Sequence, residues 1–229
     1  MRTKTFNRVI VYVVGLFFIA TGVSVSVNAN LGISPVNSLP YVVSKILNVP
    51  MSSCVIVIFC SYILLQLLIL RKEFNWINLT QIVFSTIFGY FVDFTNLLIG
   101  DWRIPSYAGS LVMLLISMVL IATGITLYVQ ANLVPMPMEG LALAIARKTN
   151  TAFPKMKIIL DCTVVALSTV LSLLVLGRLD GIREGTVISA IVIGRIIPYV
   201  KKVAGPMLDK FCGVEQSGAG SGGDAGGLL

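Results

Sequence analysis

The sequence predicts an all-α polytopic membrane protein of two fused three-span repeats in inverted orientation, each holding a re-entrant half-helix. The first observation is a duplication. Residues 19–31, IATGVSVSVNANL, recur at 121–133 as IATGITLYVQANL, with eight of thirteen positions identical. Pro35 and Pro137, Leu39 and Leu141, and Cys60 and Cys162 keep the same offset of 102 (121 − 19). The second is composition: 56% hydrophobic residues, 12% charged residues and a mean hydropathy of +0.94, where soluble domains carry about 25% charge. The third is that each copy carries, after its shared segment, a Pro-led stretch too short for an ordinary crossing.

The first repeat is expected over 1–104. A short basic leader, Met1 to Arg8, runs directly into the first span, 9–29, with no small-residue cleavage site behind it. Spans follow at 53–70 and 77–99. The second repeat, 105–212, supplies spans at 107–131, 156–176 and 185–203, each near the roughly 20 residues that cross about 30 Å of hydrocarbon. The half-helices are expected at 35–48 and 137–148, introduced by LGISP and LVPMP. The second has about a dozen apolar-rich residues before Arg147 and Lys148, too few to span. The first is interrupted by Pro40 and carries Asn37 and Lys45. Proline suits a helix start, since its missing N–H would be unpaired there anyway. Residues 213–229 are Gly/Ser-rich and are expected as a flexible tail outside any function.

Three spans per repeat is an odd number, so the copies face opposite ways. Leaving Arg195 aside, four cations (Lys45, Arg103, Arg178 and Arg183) then fall outside and the other twelve inside, as the positive-inside rule requires. An eight-span arrangement gives the same twelve to four, so charge does not separate the two; segment length favours six. The net charge of +7 is accounted for by orientation, and no nucleic-acid partner is expected. A multi-pass layout with both termini cytoplasmic is expected.

Ionisable groups inside apolar helices are costly and mark candidate chemistry. Here they are Asp93, Glu139, Asp161 and Arg195. Glu139 falls in the first turn of the second half-helix, where the first copy has Asn37; Asp161 stands where it has Phe59. Both break the symmetry of the duplication. Glu139 can couple transport to H+ or Na+, or simply cap the positive end of its helix. Asp93 and Asp161 can take part in coupling, or pair with Arg195; Arg195 can instead anchor an anionic group. The candidate substrate set is Asn30, Ser34, Pro35, Asn37, Asn132, Pro137, Glu139 and Arg195. Its polar members also have a plain role in satisfying unwound backbone.

Enzyme chemistry is not expected. There is no histidine, which removes Ser-His, Cys-His and His-metal arrangements. Asp93 and Asp161, in FVDFT and ILDCT, lack the Gly-rich motif of intramembrane aspartyl proteases. The four cysteines form no CxxC pair, and Met136 and Met138 serve as gap-fillers; no metal or cofactor is indicated.

The segment ANLGISPVNSLPYVVSKIL and the late EGTVISAIVIGRIIPYVKK resemble the YitT/YczE group of bacterial multi-pass membrane proteins, over essentially residues 5–205. Members are inner-membrane proteins loosely labelled transporters or permeases, so the resemblance implies location and layout more than an activity. It singles out Gly32, Ser34, Pro35 and Asn37, then Glu184, Gly185, Thr186, Ser189 and Gly194. Arg195 stands where the group more usually has proline, with Pro198 three residues on. The expected function is a transporter or channel-like carrier for a small polar or anionic solute between the half-helix starts. The rivals are a substrate-binding membrane subunit of an ATP-driven importer and a non-transporting membrane partner or lipid-handling protein. Expected partners are the bilayer, the solute and H+ or Na+, with room for a homo-oligomer or a membrane partner protein.

Overall fold

The computed structural model describes residues 2–179 and 181–212, so the expected tail at 213–229 lies outside the described residues. The described chain is helical throughout: α1 Arg2–Ala29, α2 Pro35–Leu47, α3 Met51–Leu70, α4 Thr80–Ile99, α5 Tyr107–Ala131, α6 Pro137–Thr149, α7 Phe153–Leu171 and α8 Glu184–Cys212. Short 3-10 turns at Arg71–Glu73 and Trp76–Leu79 join α3 to α4, and a π-helical turn, Ser172–Leu176, extends α7. Pro40 does not break α2, which runs through it. It falls close enough to the helix start that only an early backbone bond is lost.

Among the described residues five helices are long and apolar enough to cross a membrane: Thr5–Ala29, Met51–Glu73, Trp76–Ile99, Tyr107–Ala131 and Lys155–Leu176. The sixth expected span lies within α8, where Glu184, Arg195, Lys201 and Lys202 make the composition more charged than in those five. Large apolar side chains cover the outside, with Leu97 83% and Leu174 79% exposed. Water would penalise such a surface at about 25 cal/mol per Å²; lipid tails do not. The protein is a multi-pass membrane protein.

The centre of the molecule is the crossing of α1 and α5. A Cβ on Gly124 would lie 2.5 Å from the Gly15 carbonyl oxygen and 2.6 Å from Ile19 Cγ1. A Cβ on Gly22 would lie 2.9 Å from the Ser117 carbonyl oxygen and 2.6 Å from Ile121 Cγ1. Low numbers on α1 meet high numbers on α5, so the helices run antiparallel. Adding 102 to Gly15, Ile19 and Gly22 gives Ser117, Ile121 and Gly124: the contact recurs with its halves exchanged. Small residues permit this approach, and between membrane helices packing of this kind is the main attraction.

The other contacts exchange in the same manner. The end helix of each copy, α4 or α8, packs on the first helix of its own copy, whereas α2 packs on α7 and α6 on α3. At the α3–α6 contact the long Gln66 donates to the Pro137 carbonyl at 2.9 Å and lies over Gly140, where a Cβ would meet Gln66 Oε1 at 2.7 Å. At the α2–α7 contact the corresponding residues are Ser168 and Ser38, whose hydroxyls meet at 3.1 Å. A long side chain against no side chain, or two short ones, fills the same gap.

Four asparagines set the chain direction. Asn30, Asn48, Asn132 and Asn150 follow α1, α2, α5 and α6 with φ of 54°, 53°, 48° and 50°. Asparagine tolerates this left-handed ending better than other side chains with a Cβ. Asn30 and Asn132 therefore have a backbone role: each stops the first helix of its copy just before the extended segment that leads to Pro35 or Pro137.

Candidate functional site

The starts of α2 and α6 lie against one cavity of about 420 Å³ in the middle of the bundle. Each begins with proline at its first positions, and neither N-cap residue, Ser34 or Met136, gives a side-chain cap. Ser34, Pro35 and Asn37 reach the cavity from the first copy; Asn132, Met136 and Glu139 reach it from the second. Lys157 and Asp161 enter from α7, and Ser189, Ile193 and Ile197 from α8. Phe59, Phe88, Tyr128 and Phe153 supply aromatic wall.

The charged members form a trio. Lys157 Nζ lies 3.4 Å from Glu139 Oε1 and 3.4 Å from Asp161 Oδ1. Both distances exceed the roughly 2.7–2.9 Å of a good charge-assisted bond, so one ammonium is shared loosely between two carboxylates. Glu139 Oε2 is buried with no partner. Asn37, 3% exposed, donates through Nδ2 to Ser34 Oγ at 3.0 Å and leaves Oδ1 buried without a partner. An unmet buried acceptor costs about 1–3 kcal/mol, and more when charged. The two orphans occupy the same position in the two copies, 37 and 139, and face one space from opposite halves.

The remaining expected residues fall elsewhere. Asp93 accepts from the Ser52 amide at 3.1 Å and from the Ser52 hydroxyl, tying α4 to the first turn of α3. The Pro137 carbonyl is occupied by Gln66. Arg195 is exposed and does not line the central cavity. Ser189, Ile193 and Ile197, spaced by four, mark the cavity face of α8; Arg195 is two residues from Ile193, about 200° round the helix. Asn30 lines a separate cavity of about 800 Å³, together with Lys45, Asp101, Arg103, Arg178 and Arg183. Lys157 was not among the expected site residues, because beside Lys155 it reads as an interfacial cation. Its i,i+4 spacing to Asp161 was the available signal.

The two extended segments differ in how they are held. Segment 30–34 is clamped by the stretch before and at the start of α8. Ile33 N–H donates to the Gly181 carbonyl at 2.9 Å, Gly185 N–H to the Leu31 carbonyl at 2.8 Å, and Arg183 Nη1 to the Asn30 carbonyl at 3.0 Å. Gly32, at φ 123°, packs so that a Cβ would meet Thr186 Oγ1 at 2.6 Å. The two stretches singled out by resemblance therefore touch: Gly32 meets Thr186, and Ser189 joins Ser34 and Asn37 at the cavity. Segment 132–136 is held through the Tyr12 hydroxyl, which donates to the Val134 carbonyl at 3.1 Å. Asn132, Leu133, Val134 and Pro135 form a wall shared with a third cavity of about 410 Å³, lined also by Glu73 and Arg147.

A family model described as a family of unknown function, DUF6198, matches residues 6–202. The chain is 25% identical over 200 residues to the uncharacterized membrane protein YczE of Bacillus subtilis (strain 168), covering 87% of each chain. No solved structure matches. The match spans both copies, both extended segments and every residue placed at the central cavity, and the chain belongs to this YczE-like DUF6198 family of membrane proteins.

Proposed function

We propose that this protein is a small membrane carrier that moves a small polar solute through the central cavity, with Glu139 and Asp161 coupling the movement to H+ or Na+. The observation that carries this is the meeting of Asn37 and Glu139, equivalent positions of two copies, in one buried space beside an ionisable trio. Intramembrane carboxylates that line a cavity are the groups from which coupling sites are made. Half-helix ends near mid-membrane offer backbone groups to a solute.

The finer architecture belongs to the same proposal: the two copies are inverted repeats, and α2 and α6 are re-entrant. Three features support it. The α1–α5 crossing is antiparallel and exchanges its halves. Asn30, before α2, and Asn48, after it, line the same cavity, which supports a chain that leaves at the end where it entered. Asn132 and Arg147 do likewise for α6. The cavity at the α2 side collects Lys45, Arg103, Arg178 and Arg183, the four cations assigned outside by the charge rule. This supports a reading with the termini on the cytoplasmic side of a bacterial inner membrane.

The test uses purified protein in liposomes under imposed proton or sodium gradients, supplied with a panel of amines, amino acids and carboxylates. Uptake of a panel solute that stops in Glu139→Gln, with an unchanged thermal midpoint, is expected. Binding without flux, together with co-purification of an ATPase, would establish an importer's binding subunit instead. A protein that neither binds nor moves any panel member but retains a specific lipid or protein would be a membrane partner.

A further inference from the structure

We propose that the central cavity selects a protonated amine on a small apolar body, and that Lys157 is the built-in ammonium with which that ligand competes. The proposal rests on the cavity of the carrier reading but not on flux, so the two can fail separately.

The unmet groups set the ligand's chemistry. Glu139 Oε2 and Asn37 Oδ1 are both acceptors, so a ligand satisfies them by donating. An ionised carboxylate brings only more acceptors to them. The formal charges in the cavity, Glu139 and Asp161 against Lys157, sum to one negative. Helix N-termini repel cations, each acting as roughly half a positive charge. Glu139 sits in the first turn of α6 and answers that end. The α2 first turn has no acidic residue, and there a carboxylate on the same ligand is tolerated but not required.

Lys157 shows that the site accommodates the proposed group. Its ammonium already lies between the two carboxylates, at 3.4 Å from each, and leaves Glu139 Oε2 unpaired. An incoming ammonium meets that oxygen and Asn37 Oδ1, and weakens the hold of Lys157 on Glu139. The rest of the ligand faces Phe59, Phe88, Tyr128, Ile193 and Ile197. Aromatic faces add cation–π attraction near the charged end and apolar contact beyond it. The volume of about 420 Å³ fits a compact ligand, at the lower end of the roughly 300–1,000 Å³ typical of small-molecule sites.

Three probes with one branched five-carbon or six-carbon body separate the possibilities: 3-methylbutylamine, leucine and 4-methylpentanoate. Thermal unfolding and direct calorimetric titration of the detergent-purified full chain are the readouts. A ligand that binds only the folded state raises the midpoint, the more so the further its concentration exceeds Kd. The amine and leucine are expected to stabilise and the carboxylate alone is not. Glu139→Gln is expected to weaken amine binding at least about ten-fold, the scale of a hydrogen bond to a charged group. Lys157→Gln is expected to tighten it, since the internal competitor is gone. Opposite signs at two residues of one trio are not produced by general loss of folding. Preference for 4-methylpentanoate, equal amine affinity in Glu139→Gln, or no binding by any probe to folded protein would each overturn the proposal. Amine binding in a protein that moves no solute supports it while removing the carrier reading.

Discussion

The two copies use one frame for different ends. In the first, α3 lies along α4, Asp93 is occupied by Ser52, and Phe59 is fully buried between Phe88 and Tyr62 with ring centroids 6.0 and 6.1 Å away. In the second, α7 and α8 make no comparable packing among the described residues, and they bring Lys157, Asp161 and Ser189 to the cavity where α3 and α4 bring Phe59 and Phe88. Where Phe59 fills space, Asp161 holds Lys157. Where Asn37 is neutral, Glu139 is charged. A duplicated unit need not be good at everything twice: the first copy supplies rigidity, and the second, freed from that duty, carries the costly charges.

The largest expected effect would break the frame itself. Gly124→Val sets a branched side chain against the Gly15 carbonyl, where a single Cβ is already only 2.5 Å away. Backbone cannot give as a flexible side chain does, and overpacking of this kind costs about 3 kcal/mol or more. Gly22→Val meets the Ser117 carbonyl in the exchanged position and is expected to do equal damage, seen as loss of monodisperse protein on size-exclusion chromatography. Unequal tolerance would show that the exchange of halves is not energetic.

Next in size is a direct comparison at one register position. Phe59→Ala removes a fully buried ring and is expected to cost about 3 kcal/mol, lowering the thermal midpoint clearly. Asp161→Ala, at the equivalent position, is expected to shift it little, since it removes a loose pair and one desolvated carboxylate together. If both variants unfold alike, the two copies share the structural load. Asp93→Asn lies between them. It weakens the acceptor on the Ser52 amide, at about 1 kcal/mol, and should leave the cavity's ligand binding untouched; altered binding would return Asp93 to the coupling set.

How much of this was legible depends on the kind of signal. Six spans and two Pro-led short helices are expected from length and composition, because hydrocarbon thickness leaves little freedom; five of the described helices are long and apolar enough to cross, and the sixth expected span lies in the more charged α8. The positions that break the duplication, Glu139 and Asp161, were legible because an internal copy shows what a neutral residue at each site looks like. Pairings between elements were not. Asp93 and Arg195 look alike to Asp161 in sequence, since each is a charge in an apolar run. Only packing shows that Ser52 occupies the first and that the second points away from the cavity. Lys157 was hidden by its neighbour Lys155: charge near a helix start reads as interface, and its i,i+4 partner is informative only once Asp161 is known to face inward. Asn30 and Asn132 are expected as polar lining or as partners of unwound backbone; both line cavities, and their positive φ adds a role as helix stops that asparagine signals only weakly.

The smallest expected effect concerns the extended segments. Segment 30–34 has backbone groups held by Gly181, Leu31–Gly185 and Arg183 contacts, while 132–136 is held through Tyr12. Tyr12→Phe removes that single bond, about 1 kcal/mol or less, and should barely move the thermal midpoint. Its consequence is local. Hydrogen exchange by mass spectrometry is expected to quicken over 132–136 and stay unchanged over 30–34, because local opening follows local bonds rather than global stability. The wall between the central cavity and the Glu73–Arg147 cavity is made of these same residues, so a faster-opening wall should also speed amine release without altering which probe binds. Equal exchange in both segments of the parent protein would erase this difference between the copies. A quickened 132–136 with unchanged release would mean that the route lies elsewhere.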